Sequence, residues 1–301
     1  MNMKVDLCGV TLNNPVMTAS GTFGSGAEYS EFVDLNKLGA VVTKGVANVP
    51  WPGNPTPRVA EVYGGMLNAV GLQNPGIDLF IERDFPFLKK YNTKIMVNVC
   101  GHSTEEYIAV VERLRDQPVD LLEINISCPN VKEGGIAFGQ DPKAVEAITK
   151  EMKKHAAQPV IMKLSPNVTD ITEMARAAEA GGADGLSLIN TITGMKIDIN
   201  RQKFVLANKT GGMSGPAIHP VAVRMVYQTA QAVKLPIVGM GGIMNAEDAI
   251  EMILAGATAI SVGTANFTNP RVTEEIVAGI EAYMEKYHVS DIRELIGAVH
   301  E

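Results

Sequence analysis

Eight short apolar runs, rich in β-branched residues, recur along the chain and alternate with helical or loop-rich segments. Runs this short and this apolar are typical of strands buried on both faces of a parallel sheet. Strict alternation of strand and helix favours such a sheet, and eight units favour its closure. We therefore predict an α/β fold, a (β/α)8 TIM barrel, with strands at Val16–Ser20, Ala40–Lys44, Lys94–Val99, Leu121–Ser127, Val160–Leu164, Gly185–Asn190, Pro236–Met240 and Ala259–Gly263.

Two of the intervening segments carry clear helix signals. In Asn245–Gly256, Asn245 can cap the helix and Gly256 can end it, while three aliphatic side chains share one face. Thr169–Gly181 repeats this pattern. Both segments are predicted to be helices packed on the outside of the barrel.

The length of 301 residues fits either two domains or one barrel, which takes about 250 residues. No Pro/Ser/Gly-rich linker divides the chain, so we predict a single domain over residues 1–301. An open doubly wound sheet is the alternative. It is disfavoured because no G-x-G-x-x-G fingerprint follows any predicted strand.

Charge and cysteine content exclude several classes of protein. Lys and Arg number 26 against 33 Asp and Glu, a net charge of -7, which argues against a nucleic-acid partner. The start lacks the apolar core of a signal peptide, and no run approaches the ~20 apolar residues of a membrane span. Three widely spaced cysteines suit a reducing compartment. We expect a cytoplasmic protein without membrane association.

Polar and glycine residues stand at the carboxyl ends of the predicted strands, where barrel enzymes build their sites. Glycine-bearing turns after strands seven and eight commonly hold a phosphate, although they can simply be tight turns. A lysine in a barrel mouth should face an anion or the ring of a flavin, unless it reaches the rim or pairs with a carboxylate. The residues are Ser20, Lys44, Gly45, Asn98, Asn125, Lys163, Asn190, Thr191, Gly241, Gly242, Gly263 and Thr264.

Four asparagines, Asn68, Asn98, Asn125 and Asn190, suit a flat ligand whose edge alternates C=O and N–H groups, such as a pyrimidine or a flavin. A single asparagine at a strand end is more often a turn or cap residue. Four converging positions favour a polar site.

Cys128 follows the fourth strand and is succeeded by a loop with Gly134, Gly135 and Gly139, which can hinge a lid. Its thiol can act as a base or nucleophile if its pKa falls below the free value of about 8.5. Cys8 and Cys100 are interpreted as small buried apolar residues. The scattered histidines and cysteines predict no metal site.

These motifs resemble those of the class 1 dihydroorotate dehydrogenases, FMN enzymes of pyrimidine (UMP) biosynthesis built on a barrel. The resemblance runs nearly end to end. It is carried by Thr43–Gly45, Asn68–Asn74, Asn125–Asn130, Lys163–Ser165, Asn190–Thr191, Gly211–Pro216 and Gly241–Ile243.

The resemblance implies oxidation of dihydroorotate to orotate, with Cys128 as the base that removes the C5 proton while the C6 hydride passes to flavin N5. It implies substrate contacts from Lys44, Asn68, Ala69, Val70, Gly71, Leu72, Asn125, Asn190 and Thr191. It implies FMN contacts from Ser20, Lys44, Gly45, Asn98, Asn125, Lys163, Ile189, Gly215, Gly241, Gly242, Gly263 and Thr264.

Residues 190–199 and the Gly134–Gly135 pair resemble the NAD-linked subclass 1B rather than the fumarate-linked subclass 1A. The chain has no dinucleotide fingerprint and too few cysteines for a four-cysteine iron–sulfur cluster. The resemblance therefore implies a partner subunit that carries FAD and a [2Fe–2S] cluster and binds NAD. The implied assembly is a heterotetramer of two of each chain, with a homodimer of this chain at its centre.

Four other functions remain open at this stage. A fumarate-linked enzyme or a dihydropyrimidine dehydrogenase-like FMN barrel shares the same chemistry. A tRNA dihydrouridine synthase-like enzyme is disfavoured by the acidic balance of the chain. A barrel that only binds a partner leaves unexplained why a thiol, two lysines and four asparagines converge at one mouth.

Overall fold

A computed structural model describes residues 1–127 and 136–300 and has a closed barrel of eight parallel strands at its centre. Neighbouring strands pair in chain order, and the last pairs with the first through Ile260 and Val16. The predicted TIM barrel is confirmed, and each predicted strand contains an observed one. The strands are β1 (Val16–Thr18), β2 (Ala40–Val42), β3 (Lys94–Val99), β4 (Leu121–Asn125), β5 (Val160–Lys163), β6 (Gly185–Leu188), β7 (Ile237–Met240) and β8 (Ala259–Val262).

Helices occupy the connections between the barrel strands. They are α1 (Ile77–Leu79), α2 (Phe85–Leu88), α3 (Thr104–Leu114), α4 (Ile136–Gly139), α5 (Pro142–His155), α6 (Ile171–Ala180), α7 (His219–Ala232), α8 (Ala246–Leu254), α9 (Ala265–Thr268) and α10 (Val272–Lys286). A π-helical turn, Phe80–Asp84, joins α1 to α2. Short 3-10 helices lie at Tyr29–Glu31, Leu35–Lys37, Pro216–Ile218 and Ile292–Leu295.

The two helices predicted from sequence form with the predicted ends. The Asn245 side chain accepts a hydrogen bond from the Asp248 N–H at 3.0 Å and so caps α8. Gly256, just beyond this helix, has a φ of +123°, a conformation that only glycine adopts easily. Asp170 caps α6 in the same way through the Thr172 N–H.

The core is formed where the outer helices pack on the barrel strands. Every residue of β4, β5, β6, β7 and β8 is buried, as expected for strands covered on both faces. In α6 the buried face includes Ile171, Met174 and Ala178. Burial of a large aliphatic side chain contributes roughly 1.5–3 kcal/mol, so these faces fix the helices and with them the strand ends.

A second sheet of four antiparallel strands was not predicted from the sequence. We call it the mouth sheet: Ile192–Met195, Thr210–Ser214, Gly65–Asn68 and Val59–Val62, in that order. It joins the connection after β2 to the connection after β6. Two small hairpins, Val5–Leu7 with Val10–Leu12 and Ile197–Asp198 with Lys203–Phe204, complete the strands of the described chain.

Within residues 1–127 and 136–300, we find no helix with both the length and the apolar character needed to cross a membrane.

Candidate active site

A cavity lies at the carboxyl ends of the barrel strands, beside the mouth sheet. Its empty volume is about 1210 Å³, counted out to the open mouth. Strand ends of the barrel and the side chains of Val59, Met66 and Asn68 from the mouth sheet line it together. The unpredicted sheet therefore forms one wall of the site that the barrel predicts.

Most of the residues singled out in the sequence line this one cavity. They are Ser20, Lys44, Asn68, Val70, Gly71, Leu72, Asn125, Lys163, Ile189, Asn190, Thr191, Gly215, Gly241, Gly242, Gly263 and Thr264. The two lysines and three of the four asparagines thus converge, as the strand ends predicted.

Three of the predicted residues lie behind the cavity wall. Asn98 is fully buried, and its Oδ1 accepts a hydrogen bond from Asn125 Nδ2 at 3.4 Å. Gly45 packs against Asn98, where an added Cβ would lie 3.1 Å from Asn98 Oδ1. Ala69 is buried in a small apolar cluster with Ala60 and Leu67. Cys128, Gly134 and Gly135 lie outside the described residues.

Lys163 is held in the barrel interior by Glu123, a carboxylate that the sequence analysis did not single out. The Lys163 Nζ lies 3.4 Å from Glu123 Oε2, and both side chains are almost fully buried. Asn98 Nδ2 donates to the same oxygen at 2.5 Å, and Ser187 Oγ donates to Glu123 Oε1 at 2.7 Å. Buried charges are tolerated when paired and hydrogen-bonded in this way. Lysine pairing with a carboxylate, an alternative left open by the sequence, is therefore realised for Lys163.

The asparagines at the ends of β4 and β6 are fixed through Ser127. The Ser127 hydroxyl donates to Asn125 Oδ1 at 3.0 Å and accepts from Asn190 Nδ2 at 2.7 Å. Asn190 Oδ1 in turn accepts the N–H of Thr191 at 2.7 Å. The orientation of both amides is thereby set before any ligand binds, which lowers the cost of binding one.

Glycines after β6 and β7 form a cradle in which a side chain has no room. Gly215, Gly241 and Gly242 have φ values of +106°, +130° and +69°. A Cβ on Gly242 would lie 2.8 Å from both the Gly215 carbonyl oxygen and the His219 nitrogen. Backbone can therefore approach a ligand closely here.

Several lining residues were missed by sequence reasoning. Ser214 belongs to the missed mouth sheet, and its Oγ accepts a hydrogen bond from Thr264 Oγ1 at 2.7 Å. Ser261 lies within β8, and its buried Oγ has no hydrogen-bond partner among the described residues. The alternation of Val59–Val62 and Gly65–Asn68 around a Tyr63-Gly64 turn is a hairpin signal that would have found Val59 and Met66.

The two described cysteines lie outside the cavity lining. Cys100 is buried, as predicted, whereas Cys8 is only partly buried. Burial, with smaller effects of Asp184 and Asp6, raises the pKa of the Cys8 thiol from 9.0 to about 12. Cys8 is therefore a neutral thiol at physiological pH.

One group of potential metal ligands among the described residues is His219, Asp248 and Glu251, whose ligand atoms lie within 4.8 Å of one another. It was not apparent in the sequence because α7 and α8 bring these residues together. The group adjoins the glycine cradle, since His219 Nδ1 lies 2.8 Å from the Gly241 carbonyl oxygen.

The fold and the cavity define a TIM-barrel enzyme with a preformed ligand site at the carboxyl ends of its strands. The dihydroorotate dehydrogenase family model matches residues 2–284. The chain belongs to the dihydroorotate dehydrogenase family, whose members are FMN-dependent oxidoreductases that bind FMN on the catalytic subunit.

Similar proteins match over their full length. A Lachnoclostridium phytofermentans protein named dihydroorotate dehydrogenase B (NAD(+)), catalytic subunit, is 71% identical over 299 residues, or 99% of this chain and 100% of the relative. A protein of the same name from Alkaliphilus metalliredigens is 65% identical, covering 99% of each chain. Another, from Caldicellulosiruptor saccharolyticus, is 53% identical over 100% of both chains.

Proposed function

We propose that this chain is the catalytic subunit of an NAD-linked, class 1B dihydroorotate dehydrogenase, which oxidises dihydroorotate to orotate in pyrimidine biosynthesis. Residues 1–301 act as one FMN-binding barrel domain. The observation that carries the proposal is the convergence, in one cavity, of Lys44, Lys163 and three asparagines beside a glycine cradle.

FMN fits this cavity on three observations. The glycines Gly215, Gly241 and Gly242 line the cavity, where backbone N–H groups can serve a phosphate. Lys163 supplies a buried positive charge, and the buried Ser261 Oγ has no protein partner among the described residues. FMN supplies a hydride acceptor when bound. The residues proposed to hold it are Ser20, Lys44, Gly45, Asn98, Asn125, Lys163, Ile189, Gly215, Gly241, Gly242, Gly263 and Thr264; Gly45 and Asn98 act from behind the wall.

The substrate end of the cavity is proposed to consist of Lys44, Asn68, Ala69, Val70, Gly71, Leu72, Asn125, Asn190 and Thr191. Dihydroorotate presents a carboxylate and a ring edge of alternating C=O and N–H groups. A lysine and preoriented amides provide the complementary charge and hydrogen bonds. Ala69 is buried beside the wall and acts by shaping the segment around it.

Cys128 is proposed as the base that takes the C5 proton of dihydroorotate. It follows directly after Ser127, which orients Asn125 and Asn190. Because Cys128 follows Ser127 in the sequence, its thiol is proposed to act beside the asparagines that would hold the substrate. The resulting thiol returns its proton to solvent before the next cycle.

Electron transfer to NAD is proposed to require a second subunit. The relatives are named NAD(+)-linked catalytic subunits, and this chain carries neither a dinucleotide fingerprint nor four cysteines for a cluster. We propose a partner that binds FAD, a [2Fe–2S] cluster and NAD, in a cytoplasmic heterotetramer of two of each chain built on a homodimer of this one.

The test compares electron acceptors for the purified chain supplied with dihydroorotate. The chain alone should reduce an artificial dye but reduce NAD poorly, and addition of the partner subunit should restore NAD reduction. NAD reduction by the chain alone at the rate of dye reduction would exclude the partner, and preferential use of fumarate would assign the fumarate-linked subclass instead.

A further inference from the structure

His219 bridges two elements that surround the glycine cradle. It is the first residue of α7 and is 7% exposed. Its Nδ1 lies 2.8 Å from the carbonyl oxygen of Gly241, at the end of β7, and its Nε2 lies 3.1 Å from Glu251 Oε2 on α8. Asp248 Oδ1, also on α8, is 3.9 Å from the same Nε2.

The partner of Nδ1 determines the direction of its hydrogen bond. A backbone carbonyl oxygen can only accept, so His219 Nδ1 donates to the Gly241 oxygen. The contact of Nε2 with Glu251 holds the opposite side of the ring against α8.

The contact with Gly241 also orients the next peptide N–H. The Gly241 carbonyl and the Gly242 N–H belong to one trans peptide plane and therefore point in opposite directions. Because the carbonyl is turned towards His219, the Gly242 N–H is turned away from it. Gly242 lines the cavity. The rest of the loop is tied to α8, since Asp248 Oδ2 accepts the Met244 N–H at 2.8 Å.

Cationic side chains are missing from this end of the cavity in the described residues. The lining residues from β7 and the loop after it are Met240, Gly241, Gly242, Ile243 and Met244. The lining residues from β8 onward are Ser261, Gly263, Thr264, Ala265 and Phe267. An anion bound here would rely on backbone N–H groups and therefore on the contacts that orient those peptides. The contact of His219 with Gly241 is one of them.

We propose that His219 is a positioning residue for the flavin phosphate: its ring, held by Glu251 on α8, fixes the Gly241–Gly242 peptide so that the Gly242 N–H faces the phosphate. This role rests on the proposed FMN site and deepens it. His219 would act through its contact with Gly241 and not by touching the phosphate itself.

The phosphate group itself provides the test, because riboflavin is FMN without it. Apoprotein prepared from the holoenzyme is titrated with FMN and with riboflavin, following the quenching of flavin fluorescence. His219→Phe should weaken FMN binding by about tenfold or more, the effect of one hydrogen bond to a charged group. Riboflavin affinity should change little, which also shows that the variant is folded. His219→Gln, which restores one hydrogen-bond donor, should fall between wild type and His219→Phe.

His155→Phe is the matched control, because His155 forms a similar imidazole–carboxylate contact with Glu112 at 2.8 Å outside the cavity lining. It should leave both affinities unchanged. Equal losses for FMN and riboflavin in His219→Phe, or an unchanged preference for FMN, would overturn the inference while leaving the proposed function standing. A wild-type protein that binds neither flavin would overturn both. Chelator treatment that lowers wild-type FMN affinity to that of His219→Phe would mean that His219 acts through a bound metal ion, and would overturn the inference.

Discussion

Lys163 and Glu123 form a buried ion pair. The signs of the two charges predict how each residue should change the midpoint potential of the proposed flavin. Their side chains are 6% and 1% exposed, so water screens neither charge well. Glu123 offsets part of the positive field that Lys163 directs at the cavity. A proposed flavin beside Lys163 therefore experiences the difference between the two charges.

Glu123→Gln should raise the midpoint potential of the bound FMN, because the uncompensated ammonium favours the negatively charged reduced flavin. Lys163→Ala should lower the potential. Glu146→Gln is the control, since Glu146 forms an exposed pair with Lys150 on α5 and should leave the potential unchanged. Spectroelectrochemical titration measures all three. A potential that is unchanged or lower in Glu123→Gln would remove Lys163 from the flavin site.

Cys128→Ser should slow the reduction of FMN by dihydroorotate about a hundredfold or more at neutral pH, the usual contribution of a general base. A hydroxyl is a much weaker acid than a thiol, so the rate should recover partly at high pH. FMN content should stay at the wild-type level. Stopped-flow measurement of flavin reduction across pH follows both effects.

Cys8→Ser makes the same chemical change at the amino ends of the barrel strands, where Gly185 begins β6 beside the Cys8 sulfur. Because burial keeps the pKa of Cys8 near 12, its thiol is not a base at neutral pH, and this variant should reduce FMN at the wild-type rate. Wild-type kinetics in Cys128→Ser, or a comparable slowing in Cys8→Ser, would contradict the assignment of the base.

At the scale of elements, the mouth sheet connects residues of the proposed substrate site from two distant parts of the chain. Gly212 pairs with Asn68 in the register of this sheet, and Asn68 Nδ2 lies 3.5 Å from the Gly212 carbonyl oxygen. A Cβ on Gly212 would overlap Thr191 Oγ1. The sheet therefore sets the separation of Asn68 from Thr191.

Gly212→Ala should raise the KM for dihydroorotate by about tenfold or more, because small displacements of positioning residues are costly. FMN content should be unchanged. Gly194→Ala, on the neighbouring strand, is the control: its Cβ would lie 3.1 Å from a flexible methyl group of Leu67, which can move. Steady-state kinetics with a dye acceptor separate the two variants. A normal KM in Gly212→Ala would remove Thr191 from the substrate site.

The barrel was predictable from the sequence and the long-range pairing of the mouth sheet was not, for a physical reason. Barrel strands such as Val160–Lys163 have a local sequence signal, because both faces are buried and every residue before the final lysine is apolar. In the mouth sheet, Gly65–Asn68 pairs with Thr210–Ser214 more than 140 residues away, and both strands are half-exposed and rich in glycine. Their pairing has no local signature.

The residues of the candidate site also fall into a predictable group and a group that was missed. Residues that end a strand, such as Lys163 and Asn190, were predicted because the barrel fixes where strand ends converge. Glu123, His219 and Ser261 were missed because their roles depend on which neighbours surround them. The roles of the predicted residues came from the family resemblance. The comparisons confirm the family, and the roles of individual residues stay predictions.

The whole molecule is an acidic TIM barrel of the dihydroorotate dehydrogenase family, with two lysines and three asparagines in its cavity. We propose that this cavity holds FMN and that dihydroorotate bound there passes electrons to it. That half-reaction needs neither NAD nor the proposed partner subunit, so it isolates the chemistry of this chain.

The most direct measurement is therefore an anaerobic titration of the purified chain, following its visible flavin absorbance. Dihydroorotate should bleach the absorbance, whereas dihydrouracil, which lacks the carboxylate proposed to meet Lys44, should leave it unchanged. A colourless protein, no bleaching by dihydroorotate, or equal bleaching by dihydrouracil would contradict the account.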